Sequence, residues 1–244
     1  MAKKVYTTEQ LVERWEHTRA IENLMGKAVY YEIYRWCDKI WEECWTKKAP
    51  DPMLGFNNGW YKGAEAISEY YKKNKELAVL RTKLVYAANP EEFEGKTEEE
   101  AFGAGALDVS NLSTPIVEIA EDGLTAKGLW YNMRGITDYD ATGIATFHDW
   151  GWLAADFVYE DGQWKIWHMV TATDLYWRAG ETWTEPMKEL PILPEYAAIN
   201  DFKLPEPNVP MEVYEKWHAR RVNVDYPGLP KPYATFAETF SYGI

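Results

Sequence analysis

Residues 150–170, WGWLAADFVYEDGQWKIWHMV, read as one hairpin, and that reading decides the fold. Apolar residues run through Leu153–Tyr159, and Trp164–Val170 returns as the second arm. Both arms are rich in aromatic and β-branched residues, which suit a pleated, packed surface. Between them, Asp161-Gly162 is a strong turn signal, because glycine accepts positive φ without steric cost. Each arm also carries a polar residue among apolar neighbours, Asp156 and His168. With unbroken alternation, Trp164, Ile166, His168 and Val170 share one face, and His148, Trp150, Trp152, Ala154 and Asp156 share a face of the preceding strand. Lys165 prefers water, which sends His168 toward the enclosed side of the sheet. Asp156 then reaches His168 or a cation such as Arg35, because a buried carboxylate without a partner costs several kcal/mol.

Upstream of the hairpin the period is two from Leu107 onward. Leu112–Ile119 and Thr125–Met133 read as strands joined at Glu121-Asp122-Gly123, and Arg134–Ala145 reads as a polar loop. Earlier still the period is helical. Thr7 and Gln10 form a capping box, followed by a stripe of Leu11, Trp15, Ile21, Leu24, Met25 and Ala28. One turn further, the stripe becomes polar at Tyr31, Glu32 and Arg35: either the helix approaches a cavity there, or it ends near residue 30 and these groups are solvated. A second helix is expected over 34–46, ended by the prolines at 50 and 52. Asn57-Asn58-Gly59 marks a turn, Trp60-Tyr61 a short strand, and a third helix starts at Ala64 and runs to about Leu80. Residues 89–106 form an acidic, small-residue-rich insertion with one short helix expected at 98–103. Helices first and an antiparallel sheet after mean an α+β domain over 1–176. Residues 177–244 are rich in proline yet keep many aromatics, unlike a disordered tail. They are expected to wrap the domain or a neighbouring subunit, with a helix at 211–220.

Composition narrows the function. A net charge of −13 argues against nucleic acid, whose phosphates require basic patches, and against an anionic membrane surface. No apolar run approaches the ~20 residues that span a bilayer, and no apolar core follows Lys3-Lys4 as in a signal peptide. Cys37 and Cys44 lie ~10 Å apart along one helix, beyond disulfide reach, and are expected to be reduced thiols in a cytoplasmic protein. A large core plus an oligomer interface accounts for most of the thirteen Trp and seventeen Tyr, and the excess leaves room also for a pocket that takes a flat, ring-containing ligand. There is no metal-ligand spacing, phosphate-cradling loop or nucleophile elbow, which favours acid/base work without a cofactor.

Several stretches, in this order, carry a family likeness: AIENLM (20–25), GWYKGAEAI (59–67), TPIVEI (114–119) with Asp122-Gly123, and DFV–EDGQWKI (156–166). Over about residues 8–175 the chain resembles the SnoaL-like branch of the nuclear transport factor 2 superfamily. The resemblance implies a cone-shaped α+β fold, with N-terminal helices on a curved antiparallel sheet. It also implies a closed apolar pocket and no cofactor. Members include polyketide cyclases, ketosteroid isomerase, scytalone dehydratase, bile-acid dehydratase, lindane dehydrochlorinase and lyases of lignin-derived aromatics. Other members bind ligands or partners without chemistry, so fold alone does not give function.

In the dehydrating relatives, a carboxylate or tyrosine near the end of the first helix pairs with a histidine on an early strand. The helix-end position falls at Tyr31–Tyr34, and the strand position holds Ser110, which needs an activating partner to act as a base. Two other histidines, His168 and His148, are therefore the candidate bases, with Tyr31, Tyr34 and Asp156 as further catalytic candidates. His17 and His218 read as surface residues. Glu32, Arg35, Ser110, Trp152 and Trp167 are the candidate substrate-binding residues. These readings point to a cofactor-independent lyase or isomerase acting on an aromatic or polycyclic molecule by proton abstraction and elimination. The alternative is a non-catalytic binding or assembly domain. Because the sheet is apolar on both faces, a homo-oligomer (dimer or trimer) is expected.

Overall fold

The computed structural model describes residues 5–211, 214–222, 226–236 and 242. The chain runs α1 (Thr8–Ile33), α2 (Cys37–Lys39), a π-helical turn (Ile40–Cys44), β1 (Met53–Phe56), β2 (Gly59–Lys62) and α3 (Ala64–Ala88). Four long strands follow: β3 (Leu107–Ile119), β4 (Thr125–Asp140), β5 (Gly143–Glu160) and β6 (Gln163–Arg178). A short α4 (Ala197–Asp201) lies beyond them. The sheet order is β2-β1-β6-β5-β4-β3, antiparallel throughout except where β1 pairs parallel with β6. This is the expected α+β cone, with helices on one face of a curved sheet.

The β5–β6 hairpin sits at the centre of the sheet, as its apolar arms require. Asp161 and Gly162 both adopt positive φ, 51° and 76°, the pattern of a tight two-residue turn whose twist matches the strands it joins. β6 carries two extra residues. Asp156 pairs with His168 and Phe157 with Ile166, so Trp167 bulges. Trp150 pairs with Leu175 and Gly151 with Thr173, so Asp174 bulges. At the second bulge the backbones are so close that a Cβ on Gly151 would lie 2.0 Å from the Ala172 carbonyl oxygen. Bulges bend long strands, and here they curl the sheet around the helices.

The main core fills the concave side. Ile21, Met25 and Ala28 of α1 and Ile67 and Tyr71 of α3 meet Trp130, Leu153, Ala155, Phe157 and Ile166 of the sheet. The Thr7–Gln10 capping box is present, but Leu11 and Trp15 are exposed, so the expected apolar stripe is buried only in its C-terminal half. The other face carries a smaller cluster of Met53, Trp60, Leu129, Ala154, Val170 and Tyr242. Residues of the C-terminal region reach it: the Trp60 amide donates to the Val209 carbonyl and the Glu121 amide to the Tyr233 carbonyl.

Several local expectations are corrected. The expected loop at 134–145 is strand on both sides of a turn at Ala141-Thr142, because β4 and β5 pair as far as Asp140 and Gly143. The helix expected over 34–46 is α2 plus the π turn. The insertion forms successive turns rather than a helix at 98–103, with Gly103 and Gly105 at φ 75°. α3 runs eight residues past Leu80. Of the helix expected at 211–220, Glu212 and Val213 lie outside the described residues, and 214–220 is irregular with one turn. No helix among the described residues is long and apolar enough to cross a membrane.

Cys37 and Cys44 are buried free thiols. Burial pushes the Cys37 thiol up to about 12 and the Cys44 thiol up to about 11. The folded chain thus holds these protons more tightly than the unfolded one, whose thiols ionise near pH ~8.5. Their contribution to stability is complete below that pH and is lost as pH rises toward 11–12. A Cys37→Ala, Cys44→Ala variant should show a shallower loss of stability between about pH 9 and 11 in urea titrations. Gly162→Val should cost about 1–2 kcal/mol in the same assay, since a β-branched residue resists positive φ.

Candidate functional site

The helix-side site begins at the end of α1. There the Arg35 amide donates to the Glu32 carbonyl at 3.0 Å and the Trp36 amide to the Tyr31 carbonyl at 2.8 Å. These bonds close the helix through a left-handed residue, a place normally held by glycine. Here it is Arg35, at φ 59°. A non-glycine residue in this region costs roughly 1–2 kcal/mol, and such strain clusters at functional sites. The turn aims the Arg35 guanidinium at the sheet.

What it meets is an alternating chain of six charges. Arg134 on β4 pairs with Glu32 at 2.9 Å and with Asp108 at 2.8 Å. Arg35 pairs with Asp108 at 3.4 Å and with Asp138 at 3.2 Å. Arg81 on α3 closes the series on Asp138 at 2.8 Å. Ordered in space the chain reads Glu32, Arg134, Asp108, Arg35, Asp138, Arg81, with formal charges that cancel. Burial opposes the charge on Arg134, but Glu32 and Asp108 outweigh it and raise its pKa. Arg81, with Asp138 as its partner, is lowered by burial. The inner members are almost enclosed, whereas the two ends are open: the side chains of Glu32 and Arg81 are 38% and 27% exposed.

Both ends face a cavity of about 370 Å³ whose walls include Tyr70, Tyr139, Phe147 and Tyr176. It narrows into a space of about 70 Å³ beneath the helices, lined by Ser110, Asn132, Leu153 and Met169. Glu32, Tyr70 and Arg134 belong to both spaces. Ser110 Oγ donates to Asn132 Oδ1 at 3.3 Å. Burial raises the Tyr70 phenol far above its ordinary value, so at neutral pH it is a hydrogen-bond donor.

Of the candidates read from sequence, Glu32, Arg35 and Ser110 line these spaces. Tyr31 instead donates to Glu43 at 2.7 Å, and Tyr34 is exposed, stacked between Tyr30 and Trp36. His168, Asp156, Trp152 and His148 lie on the opposite face, and the expectation that His168 faces the cone is corrected. The reason is the bulge at Trp167. One extra residue puts Ile166 and His168 on opposite faces although they are two apart in sequence. Asp156 does reach His168, at 2.8 Å, and also Lys127 at 3.1 Å and the Tyr242 amide at 2.9 Å. Burial lowers the Lys127 pKa while Asp156 works to raise it. Trp167 stacks on His168 and Phe236 and donates to the Pro50 carbonyl. Trp152 packs edge-on against Tyr131, and His148 stacks on Trp177. His17 is half-buried, accepting from Trp164 at 3.0 Å, and His218 is exposed.

The sequence reading missed Arg134, Asp108, Asp138, Arg81, Asn132 and Tyr70. A signal was present for several. Period-two spacing places Asp108, Ser110 and Leu112 on one face of β3, and Arg134, Ile136 and Asp138 on one face of β4. The stretch from Arg134 onward was read as a loop, which hid the second set.

No family model and no curated protein matches this chain. Solved structures with a similar chain course include a scytalone dehydratase-like protein from Novosphingobium aromaticivorans, 15% identical. The match covers 75% of this chain and 94% of that one, at a TM-score of 0.47. A LinA-type hexachlorocyclohexane dehydrochlorinase from Novosphingobium barchaimii is 12% identical over 72% and 99% of the two chains, at 0.46. A protein of Kribbella flavida is 10% identical over 67% and 94%, at 0.48.

Asp156→Ala would leave Lys127 buried without this carboxylate and remove the acceptor of the Tyr242 amide. The expected loss of stability is about 3–5 kcal/mol in urea denaturation. A loss below about 1 kcal/mol would show that the outer face does not depend on this residue.

Proposed function

We propose that the protein is a cofactor-independent lyase or isomerase that acts on a small aromatic or polycyclic molecule in the helix-side cavity. The observation that carries this reading is the position of Glu32. It is the open carboxylate end of the charge chain, at the boundary between the narrow apolar space and the wider polar one. The likeness of residues 8–175 to a family rich in such enzymes supports the same reading.

The chemistry follows from the charges. The Glu32 carboxylate accepts a proton from a carbon next to a carbonyl group of the substrate. The electron pair left behind moves onto the carbonyl oxygen, where the Arg81 guanidinium and the Tyr70 phenol offer donors. Collapse of that oxyanion expels a leaving group from the neighbouring carbon, a hydroxyl leaving as water with the proton that Glu32 has taken up, or return of that proton at another carbon completes an isomerisation. Fixed donors of this kind act where charge develops, because they are oriented before the reaction begins. The pairing of Glu32 with Arg134 positions the base. Ser110 and Asn132 offer a polar contact to a substrate group in the narrow space.

One observation favours a second reading, binding without chemistry. All three carboxylates of the chain are arginine-paired, and among the described residues no histidine lines these two cavities. Association of copies into a dimer or trimer also stays a proposal. Its support is the half-exposed part of the outer face around Met133, His148 and Trp150. Val209, Met211 and Tyr242 of the C-terminal region pack on another part of that face.

Turnover of a panel of aromatic β-hydroxyketones, followed by absorbance of the conjugated product, tests the enzyme reading. Glu32→Gln should lower kcat at least ~100-fold while preserving the ligand-induced rise in melting temperature. Full turnover in Glu32→Gln would sink the assignment. Thermal shifts with no turnover of any member by the wild-type protein would favour the binding reading.

A further inference from the structure

The cavity has a second arm. A cleft of about 420 Å³ opens between α1 and the edge strand β3, walled by Tyr30, Pro115 and Trp130. It shares Met25, Val29, Ser110 and Leu112 with the narrow space beneath the helices. That narrow space in turn shares Glu32, Tyr70 and Arg134 with the polar cavity. The three spaces therefore adjoin in series through shared walls, wide and largely apolar at the α1–β3 end, wide and charged at the Arg81 end, with a narrow waist between them. The waist, at about 70 Å³, is under half the ~150 Å³ of an engineered apolar cavity that takes benzene. A chain of methylene or methine groups fits it, and a ring does not.

We infer that the ligand is an elongated, two-lobed molecule. A polar head sits at the Glu32–Arg81 end, an unbranched linker threads the waist past Ser110 and Asn132, and an apolar ring lies in the α1–β3 cleft. This rests on the reading of the polar cavity as the ligand site and adds the shape class of what enters it. The charges of the polar end already cancel, so the head is a carbonyl or a single carboxylate rather than a dianion, whose second charge would meet Glu32 and Asp138 unbalanced.

Gly26 marks where the ring is selected. It lies in the middle of α1 on the wall of the cleft, and a Cβ built there meets nothing within 4 Å. Its space is open to the ligand, and a larger side chain fills the cleft without crossing the waist. Replacing a helix-interior glycine also raises helix propensity, so the filled variant should fold.

The test compares two probes by isothermal titration, valerate and 5-phenylvalerate, which differ by the terminal ring. The wild-type protein should bind 5-phenylvalerate at least ~tenfold more tightly, the effect of burying one ring. In Gly26→Phe the ratio should fall to about one, with Gly26→Leu in between, and melting temperatures should show that both variants are folded. Arg81→Ala should weaken both probes by a similar factor. A ratio near one in the wild type, or a ratio that survives in Gly26→Phe, overturns the two-lobed ligand while leaving the polar site standing. If neither probe binds, the reading of the polar cavity falls, and this inference with it.

Discussion

Asp156 is the residue on which the architecture of the outer face depends. Its side chain is completely buried, and it accepts from Lys127 and from the Tyr242 amide while paired with His168. A carboxylate in that position is tolerable only with such company, since its desolvation costs several kcal/mol. The company is assembled from β4, β5, β6 and the C-terminal region, so one side chain ties the end of the chain to the middle of the sheet. Asp174, the extra residue of the second bulge, makes a similar attachment through Tyr214 and Arg221. The C-terminal region is thus held by two carboxylates, one opposite each bulge or at it.

The sheet separates two sets of buried charge. On the outer face they are enclosed by aromatic rings and hold the tail. On the helix side they form the chain from Glu32 to Arg81, whose inner members are packed and whose ends are open. A chain of alternating charges whose inner members each touch two partners is stiff, because moving any member uncovers its neighbours. The open ends inherit that stiffness. This is the kind of preorganisation a small-molecule site needs, and it is maintained in part by strain at Arg35, where glycine would be the relaxed choice.

Much of the frame was legible because it is set locally. The Asp161-Gly162 turn, the capping box at Thr7 and the switch from helical to period-two spacing at Leu107 each follow from residues within a few positions of one another. Of the polar residues at the end of the first helical stripe, Glu32 and Arg35 line the helix-side cavity and Tyr31 turns away to Glu43. The errors arose where a residue's surroundings are set by distant chain. Arg134–Ala145 looked like a loop because its polar residues face other charges, and only Asp108, Arg81 and Arg35, from three other elements, make a strand of such residues stable. Alternation from Lys165 sends His168 toward the cone, and alternation fails at the bulge at Trp167.

The sequence by itself determined the α+β order, the central hairpin, the turn within it and the polar end of the first helix. Each depends on backbone preferences and on spacing along a single element. Only the tertiary structure decided which face His168 and Asp156 present, which arginines meet which carboxylates, and that the narrow space beneath the helices shares its walls with two wider ones. The physical reason is that one inserted residue at Trp167 reverses the facing of what lies beyond it, and the energetic preference for that insertion comes from partners far away in the chain.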